Sequence, residues 1–475
     1  MSDPLGERAA LDGALDYAHD AARAFLASID DAPVRPRGAG RAAAALDGAL
    51  PDDGHGSIAA LRALAAAADD AALRSAGPRF FHFVTGGATP AALAADWLTA
   101  ALDQNPGMWA GSPFGADLER IALEWLRDLF ALPREWGGVL TTGATMANYT
   151  GLAAARRWWA AQHGFDADVD GLSGRPPVPV FSSGYVHASS VKALGMLGIG
   201  RDSLQRVTAD ATGRIDLSAL RDRLRALDGA PAVVVANTGE VNAGAFDPLP
   251  DVAELADEHG AWLHVDGAFG LFSRLTPRTA ALTDGIERAD SVVSDAHKWL
   301  NVPYDCGFVF VRDESLLSGA FGATADYYVG GRADRPSWAL LGPESSRRTR
   351  ALAVWATLRA YGRNGYRLMV ERHLDLAQRV AARVDEAPEL ERLAPVPLNI
   401  VCFRIRLPGV SDDDLDEINR SAGEALLEDG RVYAGTTRYA GRVAFRPAIV
   451  NWRTTEHDVD LLVDVVRELA AAHAP

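Results

Sequence analysis

Between about residues 86 and 345 the chain repeats one pattern: a short apolar run rich in β-branched residues, then a helical stretch. The runs are GGVLTTG, PPVPVFSSG, LQRVTAD, APAVVVANTGE, GAWLHVDGA, ADSVVSDAHK and CGFVFVR. A strand that is apolar at nearly every position must be covered on both faces, as in a parallel sheet held between helices. The pattern predicts a large α/β domain on seven mostly parallel strands, with its ligand site where strands end and loops begin.

The flanks read differently. Residues 1–85 are helical, broken by DAPVRPRGAGR and PDDGHGS, and residues 346–475 combine helices with the strand-like runs PLNIVCFRIRL and RVAFRPAIV. This predicts three parts: a helical segment 1–85, the large domain 86–345, and a small α+β domain 346–475. Before the last boundary lies FGATADYYVGGRADRPSWALLGPESS, a long Gly/Pro-containing loop of the kind that serves as a lid. No apolar run reaches the length of a membrane span, and the N-terminus lacks the basic start and apolar stretch of a signal peptide. A formal net charge of −16 at pH 7 argues against a nucleic-acid partner. Two distant cysteines, Cys306 and Cys402, offer neither a disulfide framework nor a zinc cluster. A cytoplasmic protein without a membrane anchor is expected.

Of 47 basic residues only Lys192 and Lys298 are lysine. Arginine serves wherever charge alone is needed, so a lysine kept against that habit points to chemistry that only an amine performs. Lys192, in HASSVKALGMLG, is turned away from the apolar helix face shared by Val191 and Leu194 and reads as solvated. Lys298, in SDAHKWLNVPYDCG, follows a predicted strand and sits among apolar and aromatic residues. Asp266 ends the strand AWLHVD one helix-length segment earlier. Two consecutive strands would then bring an amine and a carboxylate to one sheet edge. Pyridoxal phosphate needs that pair: an amine for its aldehyde and a carboxylate for its ring nitrogen. TTGATMANYTG places Gly143, Ala144 and Thr145 at a strand-to-helix turn suited to a phosphate. His187, in SSGYVHASS at another strand end, could stack on a flat ring. Taken singly, Asp266 also reads as a helix cap and His187 as a structural histidine; together one cofactor explains all four.

The segments GVLTTGATMANYTGLAAAR, SSGYVHASSVKALGMLG, LHVDGAFG, SDAHKWLNVPYDCG and SRRTRALAVWATLRAYG resemble, in this order, the group II pyridoxal-phosphate-dependent amino-acid decarboxylases, a family that includes the aromatic-L-amino-acid, histidine and glutamate decarboxylases. The resemblance runs from about His82 to the C-terminus. It implies a fold-type I (aspartate-aminotransferase-like) architecture and a homodimer with active sites at its interface. It also implies Lys298 as the Schiff-base lysine, Asp266 as partner of the pyridine nitrogen and His187 stacked on the ring. Gly143, Ala144 and Thr145 would hold the phosphate with help from His297, and Ala268 would lie beneath the ring. Thr85, Trp109 and Tyr328 fall on the substrate side. Tyr327 falls where the family carries the tyrosine that returns a proton to the substrate, with Tyr328 beside it.

Three positions depart from the family pattern. Asp295 stands where an asparagine is frequent near the phosphate and is not counted as a ligand, since an anion there repels phosphate. Val241 replaces a threonine beside the cofactor, and Gly107 stands where aromatic-selective members often carry phenylalanine. The resemblance implies decarboxylation of a small-molecule amino acid, aromatic favoured, to the amine and carbon dioxide. The alternatives are oxidative formation of an aldehyde and decarboxylation of an acidic amino acid.

Overall fold

Each of the seven runs forms a strand: β1 (Gly137–Thr141), β2 (Val180–Ser182), β3 (Leu204–Arg206), β4 (Val233–Asn237), β5 (Trp262–Asp266), β6 (Ser291–Asp295) and β7 (Gly307–Val311). The computed structural model describes residues 4–473 apart from 37, 40, 42, 43, 45, 209, 210 and 324–334. The strands form one sheet in the order β1-β7-β6-β5-β4-β2-β3. All pairings among β6, β5, β4, β2 and β3 are parallel; only β7 runs against its neighbours β1 and β6. Every residue of β1, β4, β5, β6 and β7 is buried. The largely apolar centres of these strands are the signature of that double coverage, with polar residues at the ends of β1, β4, β5 and β6.

The small sheet, with order β10-β11-β9-β8, is antiparallel. The two C-terminal runs supply β9 (Phe403–Ile405) and β11 (Arg442–Phe445), and the structure adds β8 (Leu390–Arg392) and β10 (Thr436–Tyr439). These two edge strands, LER and TTRY, are short and charged, so no apolar alternation announces them. Phe81, Phe403 and Phe445 share the core beneath this sheet. The chain just before Thr85 is thereby fixed to the small sheet, and Phe81 N–H donates to Tyr433 O at 2.8 Å.

One buried ion pair fixes β1. Arg347 Nη1 lies 2.8 Å from Glu119 Oε1, their side chains being 2% and 0% exposed. Leu140 N–H donates to the same carboxylate oxygen, and Arg347 Nη2 donates to Leu140 O. Burial pushes the Glu119 carboxyl up and Arg347 opposes that shift. Glu119→Ala leaves a buried guanidinium without its partner, and we expect a loss of about 3–5 kcal/mol in denaturant unfolding. A loss under about 1 kcal/mol would contradict this account of β1.

Candidate active site

The carboxyl ends of β1, β2, β5 and β6 reach one edge of the large sheet, because these strands run in the same direction. Lys298 follows β6 there. Its Nζ lies 3.2 Å from Asp295 Oδ2, with the lysine side chain 15% exposed, and 5.7 Å from the Phe269 ring centroid. The segment after Lys298 is bolted down on both sides. Trp299, fully buried, donates to His373 Nδ1 at 2.8 Å. Asn301 donates to Trp299 O and Val450 O and accepts from Trp452 N–H. Gly86 packs so closely that a Cβ there would lie 1.6 Å from Lys298 O. This brings neighbouring Thr85, itself buried, beside the lysine segment. Tyr304 OH lies 3.4 Å from Thr85 Oγ1, and its ring stacks on His297 at 4.3 Å.

Asp295 is engaged on three sides. Besides Lys298, its Oδ1 accepts from Ala144 N–H at 2.5 Å and lies 3.3 Å from His297 Nε2. Ala144 opens the helix Ala144–Gln162, whose first-turn N–H groups have no partner within the helix. A carboxylate seated there marks the turn as an anion site. Gly143 and Gly307 make it possible: a Cβ on Gly307 would lie 2.6 Å from Gly143 Cα, and one on Gly143 2.9 Å from His297 Cε1. His297 Nδ1 accepts from Cys306 N–H at 3.1 Å, leaving Nε2 as the donor. Burial holds this imidazole below its ordinary range, against the pull of Asp295.

Asp266, 5% exposed, ends β5. It accepts from Asn148 Nδ2 at 3.0 Å, Ser190 Oγ at 3.3 Å and Ala268 N–H at 3.2 Å. His187 caps the helix Ala188–Met196, its Nδ1 accepting from Ser189 N–H at 3.2 Å. Partial enclosure lowers its pKa, an effect opposed by Asp266 and reinforced by Lys298. His187, Asp266, Lys298 and Asp295 therefore lie within electrostatic reach of one another.

The expected residues do not all gather here. Lys298, Asp266, His187, Ala144, Gly143, Thr145, Ala268, His297 and Thr85 line this edge. Trp109 lies under the Arg335 guanidinium at 4.7 Å, and no hydrogen bond or ring contact joins it to the cluster among the described residues. Gly107 is a close-approach glycine, where a Cβ would lie 2.1 Å from Ser345 O. Tyr327 and Tyr328 fall outside the described residues. Lys192 is exposed, as its helical phase predicts. Sequence reasoning missed Asn148, Ser190, His264 and Arg446. His264 stands two residues before Asp266 on one strand, which puts both on one face, so that signal was available. Arg446 gave none: it is 7% exposed, its Nη1 has no hydrogen-bond partner among the described residues, and its charge lowers the pKa of both His82 and His187.

An amine, a carboxylate and an anion-accepting helix start at one sheet edge fit pyridoxal phosphate, with Asp295 marking where an anion is held. Comparison with known proteins agrees. The pyridoxal-dependent decarboxylase conserved domain matches residues 71–406. Over 401 residues the chain is 31% identical to an aromatic-L-amino-acid decarboxylase of Bacillus atrophaeus, covering 83% of this chain and 81% of that one. It is 32% identical over 438 residues to an L-2,4-diaminobutyrate decarboxylase of Rhizobium meliloti (strain 1021), covering 90% and 85%. The crystal structure of Oryza sativa TDC with PLP and tryptamine superposes with a TM-score of 0.92 at 25% identity, covering 100% of both chains. Motif order, sheet topology and these matches agree, and the chain belongs to the pyridoxal-dependent decarboxylase family.

Proposed function

We propose that this enzyme decarboxylates an L-amino acid, with aromatic side chains favoured, releasing the amine and carbon dioxide. The observation that carries the reading is the placement of Lys298 and Asp266 at the ends of two adjacent parallel strands, beside the anion-accepting start of helix Ala144–Gln162. Bound pyridoxal phosphate supplies an electron sink for the carbanion left when carbon dioxide departs. Lys298 provides the primary amine that exchanges with the substrate amine. Asp266 holds the ring nitrogen in its protonated form, a bond worth about 1.5–3 kcal/mol. His187 and Ala268 would hold the ring between them. Gly143, Ala144, Thr145 and His297 would hold the phosphate. Thr85 and Trp109 are assigned to the substrate side. Tyr327, with Tyr328 as its neighbour, returns a proton to Cα. Among the described residues Arg446 Nη1 has no hydrogen-bond partner, which leaves a buried donor free for a ligand oxygen, although Glu240 already offsets part of the guanidinium charge.

The enzyme works as a homodimer in the cytoplasm, with residues 1–85 as the dimerisation segment of a three-part chain. In support, helix Leu11–Ser28 has no buried residue in the single chain, and Leu5, Leu11, Leu15, Leu50 and Leu64 are exposed.

Asp295 makes a specific demand on cofactor binding, because a phosphate at Ala144 meets a carboxylate already there. Asp295→Asn keeps the acceptor and removes the charge. It should tighten pyridoxal-phosphate binding to cofactor-stripped protein by ~10-fold in a fluorescence titration. Weaker binding would show that the carboxylate helps the cofactor instead.

The function is tested by incubating the cofactor-loaded protein with a panel of amino acids, with and without oxygen, and following carbon dioxide, amine, aldehyde and ammonia together. Carbon dioxide with stoichiometric amine from one substrate supports the reading and names that substrate. Oxygen-dependent aldehyde with ammonia replaces it with oxidative chemistry. No carbon dioxide from any amino acid contradicts it.

A further inference from the structure

A chain of hydrogen bonds runs from the interior of the large sheet to both Asp266 and His187, and its direction is determined from either end. Trp262 Nε1–H can only donate, and it does so to Ser291 Oγ at 3.1 Å. Among the described residues the remaining partner of Ser291 Oγ is His264 Nδ1 at 2.7 Å, so the hydroxyl proton goes there. With Nδ1 accepting, the imidazole proton sits on Nε2, which donates to Asn148 Oδ1 at 2.7 Å. From the other end, a carboxylate at Asp266 only accepts, so the Asn148 amide must turn its Nδ2 toward it, at 3.0 Å. That puts Asn148 Oδ1 toward His264 and again requires Nε2–H. The second Asn148 proton goes to Ser189 Oγ at 3.1 Å. Ser189 Oγ then donates to His187 Nδ1 at 2.6 Å, which leaves the His187 proton on Nε2.

The members of this chain are sealed. Ser291, His264 and Asn148 are each 0% exposed, Trp262 3% and Ser189 5%, so no bulk water can replace a lost partner. The helix that carries Asn148 leaves room for the imidazole at Gly151, where a Cβ would lie 2.9 Å from His264 Cε1. Burial holds His264 at a pKa of about 4, with Asp266 opposing, so the ring is neutral.

We propose that His264 is a positioning residue for the decarboxylation: held by Ser291 and Trp262 as its Nε2–H tautomer, it locks the Asn148 amide, which in turn turns its N–H to Asp266 and fixes that carboxylate as an acceptor. The proposal rests on the assignment of Asp266 to the cofactor ring nitrogen. Without His264, Asn148 can flip and present its oxygen to the Asp266 carboxylate, whereas His187 Nδ1 keeps the Ser189 N–H as its donor at 3.2 Å. His264 touches neither cofactor nor substrate.

The test compares His264→Leu with His264→Gln in the holoenzyme and in the Asp266→Asn background. Two quantities are read: the dissociation constant of pyridoxal phosphate, and the pH midpoint of the bound cofactor's absorbance. Gln retains an N–H for Asn148 Oδ1; Leu has none. His264→Leu should weaken cofactor binding ~10–100-fold and move the absorbance midpoint, while His264→Gln should stay within about threefold of wild type. In the Asp266→Asn background His264→Leu should add little, because the group it positions is already gone. Ser291→Ala, which removes one hydroxyl at nearly constant volume, should shift both readouts in the same direction by a smaller factor. It serves as the reporter if His264→Leu does not fold. An effect of either variant that persists undiminished beside Asp266→Asn overturns the proposal, since a merely structural role predicts that result. If Asp266→Asn alone leaves both readouts at wild type, the assignment of Asp266 falls, and the proposal with it.

Discussion

Lys298→Ala is expected to lose more than about 10⁴-fold in turnover while keeping the fold. On the proposed assignment, Lys298 would supply the primary amine that holds the cofactor aldehyde, and among the described residues no other lysine lies at this edge. Its loss should do little to the structure. The Lys298 side chain is 15% exposed and its ion-pair partner Asp295 keeps Ala144 N–H and His297 as further partners. The backbone around it is held by Asn301, Trp299 and Gly86, none of which depends on the ammonium. Lys298→Arg separates charge from nucleophilicity. It restores a cation beside Asp295 but no transferable amine, so it should be as inactive as alanine. Lys192→Ala should be indistinguishable from wild type, because Lys192 is solvated on an exposed helix face. Turnover by Lys298→Ala within about tenfold of wild type would contradict the assignment.

Asp266→Asn is expected to lower turnover about 10–150-fold and to weaken cofactor binding, the equivalent of one charge-assisted hydrogen bond of about 1.5–3 kcal/mol. The change is nearly isosteric, so the effect is one of proton holding rather than packing. Three donors converge on this side chain, from Asn148, Ser190 and Ala268. A carboxylate satisfies them and still has an acceptor lone pair to offer a ring N–H⁺. An amide has one oxygen and two protons of its own, which face existing donors. Steady-state kinetics with a cofactor titration checks this. Unchanged kcat together with unchanged cofactor affinity would show that Asp266 is only a strand-end cap.

The large sheet was legible because its strands are buried on both faces, and double burial writes itself as consecutive apolar residues, VL in β1, VVVA in β4, VV in β6 and FVFV in β7. The edge strands β8 and β10 were not, since they are three and four residues long and are broken by Glu391, Arg392 and Arg438. Lys298 and Asp266 were legible for a chemical reason: each is a polar break at the end of an apolar run, and parallel topology sends such ends to one edge. Asn148 and His264 are different. Their roles come from meeting each other across the helix–sheet interface, a tertiary fact that neither TMANYTG nor WLHVD contains alone. Asp295 shows the same limit. Its repulsion toward a phosphate could be read from its charge, but its seat on Ala144 N–H, His297 and Lys298 depends on β7 placing Gly307 between β1 and β6.

The central claim is that Lys298 is the amine that bears the cofactor, and the chain's own composition makes it directly testable. With Lys192 and Lys298 as its only lysines, borohydride reduction of the cofactor-loaded protein followed by peptide mass mapping has two side-chain ε-amines to choose between. The account predicts the added phosphopyridoxyl mass on the peptide containing His297, Lys298 and Trp299, at one per chain. The label on Lys192, or none on either lysine in protein that binds the cofactor, would contradict it.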